Sequence, residues 1–164
     1  MGAMKPKANF APYVRKTWLQ SLPASQRALA STLCDLLEAA FDPADIAIYS
    51  GFPIVVRNGE WTAGFAMRSK GPVAYCCSPK VLAAMGKELA PILSGKSCIA
   101  VRATKHIPLD QVLTLVGRAF REASKHGGMI SKADAKKRNR EQQAKQSAPN
   151  AARASARKPP RHGA

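Results

Sequence analysis

The spacing of apolar positions changes along the chain, and each change marks an element. From about Pro23 to Ala40, Leu29, Leu33, Leu36, Leu37 and Ala40 recur three or four residues apart, which is one face of a helix. Pro23 suits the first helical position, where a missing N–H leaves no intrahelical bond unmade. A shorter helical stretch precedes it, from about Pro12 to Gln20, with Val14 and Trp18 expected on one side. After Phe41-Asp42-Pro43 the period drops to two. Ile54-Val55-Val56-Arg57 and Glu60-Trp61-Thr62-Ala63-Gly64-Phe65-Ala66-Met67 flank Asn58-Gly59, a pair that tolerates the positive φ angles of a two-residue type I′ turn.

That turn sets an expected register of Arg57 opposite Glu60, Val56 opposite Trp61, Val55 opposite Thr62 and Ile54 opposite Ala63. Opposed residues share a sheet face. Ile54, Val56, Trp61, Ala63, Phe65 and Met67 are therefore expected to form the inward face, with Val55, Thr62, Arg57 and Glu60 on the other. A third strand, Val73 to Cys77, follows Ser69-Lys70-Gly71-Pro72. Ser78-Pro79 opens a short helix with Val81, Leu82, Met85 and Leu89 inward. A strand from Cys98 to Ala103 alternates Ile99 and Val101 with Ala100 and Arg102. The final helix starts at Pro108 and carries Leu109, Val112, Leu113, Val116 and Phe120 on one stripe, with Lys125 and His126 complementing its C-terminal dipole. The expected fold is α+β: N-terminal helices, an antiparallel sheet built on the Asn-Gly hairpin, and a C-terminal helix packed on one sheet face.

Charge divides the chain. The 164 residues carry a formal net charge of +16, with 46% apolar and 22% charged residues. Half of the excess, +8, falls in residues 127–164, which contain no apolar side chain other than alanine after Ile130. Such a segment buries too little to offset the roughly 1–2 kcal/mol per residue of ordering entropy. The sequence is therefore expected to divide into a flexible N-terminus over residues 1–11, a single domain over 12–126, and a disordered basic tail over 127–164. Lys136, Lys137, Arg138, Arg140, Lys145, Arg153, Arg157, Lys158 and Arg161 form the tail's cationic series. It can neutralise the phosphates of RNA or DNA without fixed geometry, and its charge alone predicts a log-affinity slope against log salt of roughly −5 to −7. A purely solubilising extension has the same composition.

Other chemistry is sparse. No apolar run reaches the roughly 18 residues of a membrane span, and no export signal is discernible, so no membrane partner and a cytoplasmic location are expected. Cys34, Cys76, Cys77 and Cys98 lack zinc-site spacing and read as small apolar fillers, with Lys96 beside Cys98 the one hint of a reactive thiol. His106, His126 and His162 are scattered, and nothing places a nucleophile beside a base. Gly95-Lys96-Ser97 lacks the upstream glycine and following helix of a phosphate-binding loop. Arg57, Arg68, Lys70, Lys96, Arg102 and Lys105 lie on or beside strands and suggest a positive sheet face, although no RNP-type aromatic motif accompanies them. Tyr49-Ser50-Gly51-Phe52-Pro53 is an aromatic-bordered bend, readable either as a ligand or protein-partner groove or simply as a turn into the sheet.

Ile48-Tyr49-Ser50-Gly51-Phe52-Pro53, the hairpin after it, Gly95-Lys96-Ser97-Cys98-Ile99 and Ile107-Pro108-Leu109-Asp110 resemble the YdhG-like family of bacterial domains of unknown function, over about residues 12–125. The resemblance implies a small cytoplasmic α+β sandwich with the outline of frataxin, and for some members an iron-chaperone role. Frataxin-like iron handling relies on clustered acidic side chains. Here Asp35, Glu38, Asp42, Asp45, Glu60, Glu88, Asp110 and Glu122 are dispersed, so no iron ligands are carried over. The expected function is a non-enzymatic binding or accessory module without a cofactor, whose tail contacts nucleic acid; a frataxin-like iron-binding chaperone is the alternative.

Overall fold

A computed structural model describes residues 10–126. Four helices and a seven-stranded antiparallel sheet follow one another as β1 (Phe10–Pro12), α1 (Arg15–Ser21), α2 (Ala24–Ala40), β2 (Ile46–Tyr49), β3 (Phe52–Arg57), β4 (Glu60–Arg68), β5 (Gly71–Tyr75), α3 (Pro79–Leu89), β6 (Leu93–Ser94), β7 (Cys98–Ala100) and α4 (Leu109–His126). The sheet order is β1-β2-β3-β4-β5-β7-β6, a meander whose last two strands exchange places. The domain begins earlier than residue 12, because Phe10 and Ala11 already pair with Tyr49 and Ile48.

The helices form where the periodicity places them. Leu33, Cys34 and Leu37 of α2 are buried, as are Val112, Val116, Ala119, Phe120 and Ala123 of α4. Pro23 stands one position earlier than expected, at the N-cap of α2. The Ser78 hydroxyl caps α3 by accepting the Val81 N–H at 3.2 Å. Val14 departs from expectation: it sits just before α1 and is exposed, whereas Trp18 packs edge-on against Phe65 with ring centroids 5.5 Å apart.

Both two-residue turns of the first three-stranded meander use positive φ. Asn58 and Gly59 have φ of 53° and 76°, the type I′ geometry expected of them. Ser50 and Gly51 repeat it between β2 and β3, with φ of 50° and 83°. The Tyr49–Pro53 bend is thus a hairpin turn, held to α1 by the Trp18 indole N–H donating to the Gly51 carbonyl at 2.9 Å.

The β3–β4 register corrects the expected face assignment. Arg57 pairs with Glu60 and Val56 with Trp61, but Val55 then pairs with Ala63 and Ile54 with Gly64. Thr62 is an extra, unpaired residue. This β-bulge shifts every later pairing by one and so exchanges the faces of β3 relative to that expectation. Ala63, Phe65 and Met67 lie inward as expected, and Val55 joins them in the helix-facing core with Ala74 and Ile99, whereas Ile54, Val56 and Trp61 turn to the opposite face. Trp61, expected inward, is 40% exposed.

Candidate functional site

The strand registers define what the sheet shows on the side away from the helices. Phe10, Tyr49, Phe52, Trp61 and Tyr75 all fall there, together with Ile54, Val56, Ala66, Arg68, Cys98 and Ala100. Ile54 and Ala66 are buried yet stand outside the cluster that joins the sheet to the helices, as their placement on this second face requires. Five of the chain's ten aromatic side chains thus line a face that no helix covers among the described residues. Burial alone would have turned them inward.

The aromatics form a connected surface. The Phe10 and Tyr49 rings lie 5.1 Å apart between centroids, and Tyr49 meets Trp61 edge-on at 4.8 Å. Tyr49 pairs with Phe52 across the hairpin, and the Arg68 guanidinium stands over the Phe52 ring at 5.6 Å. Arg68 also donates from Nε and one Nη to the Tyr75 hydroxyl, at 3.2 and 2.7 Å. Those bonds to Tyr75 hold the guanidinium's pKa above its ordinary value, so its charge is permanent. Gly64, paired with Ile54 and Tyr75, and Ala66, paired with Val73, put little side chain on this face. At Gly64 an added Cβ would come within 2.7 Å of the Pro53 carbonyl oxygen, so the bulged strands demand glycine at this point.

Most carboxylates of the described residues belong to helical segments. Asp35, Glu38, Asp42, Asp45, Glu88, Asp110 and Glu122 lie on or at the ends of helical segments. Glu60 pairs with Arg57, whose guanidinium donates to the Ser124 carbonyl of α4 at 2.8 Å, which places both on the helix side. Beside the aromatic row lies a depression of about 260 Å³ lined by Arg68, Ser69, Lys70, Ser94, Ala100 and Arg102. No carboxylate lines it. Of the expected positive face, Arg68, Lys70 and Arg102 come together and Arg57 is withdrawn to α4. Lys96 and Lys105 do not line the depression.

The remaining candidates separate. Asp35 and Glu38 are engaged by Arg15, at 2.7 and 3.1 Å, and Glu38 also accepts from the Tyr13 hydroxyl at 2.7 Å. Among the described residues no three His, Cys, Asp or Glu side chains converge. Cys34, Cys76 and Cys77 are buried, and Cys98 is half-buried beside Tyr75. Burial pushes the Cys34 thiol up; the Cys76–Cys77 hydrogen bond raises Cys76 and lowers Cys77. Lys136, Lys137, Arg138, Arg140, Lys145, Arg153, Arg157, Lys158 and Arg161 lie outside the described residues.

Sequence reasoning found Tyr49 and Phe52 but missed Phe10, Trp61 and Tyr75 as members of one surface. Their common face follows only from the β1–β2 pairing and the bulge. Comparison with protein-family models, with curated proteins and with solved structures finds no match.

Proposed function

We propose that the protein is a binding module for single-stranded nucleic acid, which lays its bases on the helix-free sheet face. The observation that carries this reading is the joined row of Phe10, Tyr49, Trp61, Phe52 and Tyr75 on a surface that holds Arg68 and adjoins a cationic depression. A base offers a π-face to any aromatic ring, so stacking on such a row binds strands with little regard to sequence. The duplex hides those faces, which favours a single strand. The cations of the depression neutralise backbone phosphates beside the row, and the +8 carried by residues 127–164 supports the reading by adding diffuse attraction.

Fluorescence anisotropy of the full chain with labelled RNA and DNA strands tests this. Trp61→Ala is expected to weaken binding by roughly 5- to 150-fold, corresponding to about 1–3 kcal/mol of stacking. Its cost in stability is expected to be about 1 kcal/mol, since Trp61 is exposed and only its contacts with Tyr49 and Val56 are lost. Wild-type affinity retained by Trp61→Ala contradicts the reading. So does a face that mediates self-association, abolished by Trp61→Ala, in a chain that binds no oligonucleotide.

A further inference from the structure

We propose that Arg68, Lys70 and Arg102, with the hydroxyls of Ser69 and Ser94, form a receptor for the terminal phosphate of a strand lying on the aromatic face. The proposal rests on the reading above and names which part of the strand this corner of the sheet takes.

Three observations point to a terminal phosphate rather than an internal linkage. The first is charge. Three cations line one depression with no carboxylate among its lining residues. An internal phosphodiester brings a single negative charge, whereas a phosphomonoester brings about −1.5 to −2 and three free oxygens. The second is availability. Arg15, Arg118 and Lys125 are ion-paired, but Lys70 and Arg102 make no ion pair among the described residues. Arg68 uses Nε and one Nη on Tyr75 and keeps its other Nη without a hydrogen-bond partner among them. The third is position. The depression lies at the turn between β4 and β5 and near the end of β7, where Arg102 stands two residues beyond the strand. Arg68 stands at once over Phe52 and at the wall of the depression, so a base on the aromatic row and a phosphate in the depression are neighbours.

The test uses the full chain and strands of about ten nucleotides, prepared with a 5′-phosphate, a 3′-phosphate or hydroxyls at both ends, the fluorophore being placed internally. One of the two phosphorylated strands is expected to bind roughly tenfold tighter than the hydroxyl strand, and the stronger arm identifies the end. Lys70→Ala/Arg102→Ala is expected to remove that increment, so that phosphorylated and hydroxyl strands bind the variant alike; Trp61→Ala weakens all three strands and keeps the ratio between them. A second measurement does not depend on variants: amide shifts of the wild-type chain that differ between phosphorylated and hydroxyl strands are expected at Ser69 to Val73, Ser94 and Arg102. Equal affinity for all three strands overturns the terminal-phosphate receptor and leaves the stacking face standing. An increment that survives the double substitution, or amide differences confined to other segments, also overturns it. A chain that binds no strand overturns both readings.

Discussion

At Gly64 the sheet leaves no space for a side chain. A Cβ there would meet the Pro53 carbonyl and Ile54, next to the bulge at Thr62. Gly64→Ala sets a methyl group against backbone atoms that cannot rotate away. It is expected to destabilise the fold by about 1–3 kcal/mol, read as a lower denaturant midpoint with an unchanged slope. A midpoint equal to that of the wild type would mean that the strands are not so closely apposed. On the proposed reading the same residue serves binding at one remove, because no side chain stands at 64 between Ile54 and Tyr75. Trp61 is the complementary case, a large apolar side chain that packing leaves exposed and that stability requires little.

At the scale of elements, α3 and α4 are joined by a pair between Glu88 and Arg118, the second of its contacts being 3.1 Å. The Arg118 hydrogen bond holds the Glu88 carboxyl below its ordinary value. A carboxylate whose folded value is depressed contributes stability above its unfolded value, and loses it as pH falls through the folded one. Both side chains are open to solvent, so the contribution is small. Arg118→Ala is therefore expected to leave the melting temperature near neutral pH almost unchanged and to make its decline on acidification shallower. A decline as steep as that of the wild type would show that the pair is inert.

How much of these elements could be read from the sequence depended on what sets each one. Helices α2 and α4 declare themselves because a long apolar stripe is a local property, and the Asn58-Gly59 turn because only a few residues adopt its φ angles. β1, β2 and β6, of three, four and two residues, carry no pattern of their own and exist through their partners. The bulge left no signal, since Thr62 is a sound strand residue wherever it falls. Missing it misplaced Ile54, Val55, Val56 and Trp61, while Ala63, Phe65 and Met67 lie inward as expected; the aromatics were visible one by one, but their assembly on a single face is a product of pairing. Tyr49 and Phe52 were recognisable because a turn separates them; Phe10 and Tyr75 belong to the surface only through strands β1 and β5.

Across residues 10–126 the helices pack on one side of the sheet, and the other side carries the aromatic row with Arg68. On the proposed reading, electrostatics steers an anionic strand towards that side and stacking holds it there. The two contributions separate with salt. Removing residues 127–164 halves the formal net charge from +16 to +8. It is expected to flatten the log-affinity slope against log salt by roughly 5 units while leaving the loss caused by Trp61→Ala unchanged. A slope unaffected by the truncation would assign the whole electrostatic attraction to residues 1–126.

The central claim is that the helix-free face is the binding surface. It is tested most directly by following backbone amide and indole N–H signals of the full chain during titration with a single strand of about ten nucleotides. The account predicts that the Trp61 indole and the amides of Tyr49, Phe52, Trp61, Arg68 and Tyr75 move together, while the Trp18 indole, bonded to Gly51 beneath the sheet, stays still. Shifts concentrated on α3 and α4, with the Trp61 indole unmoved at saturation, would contradict it.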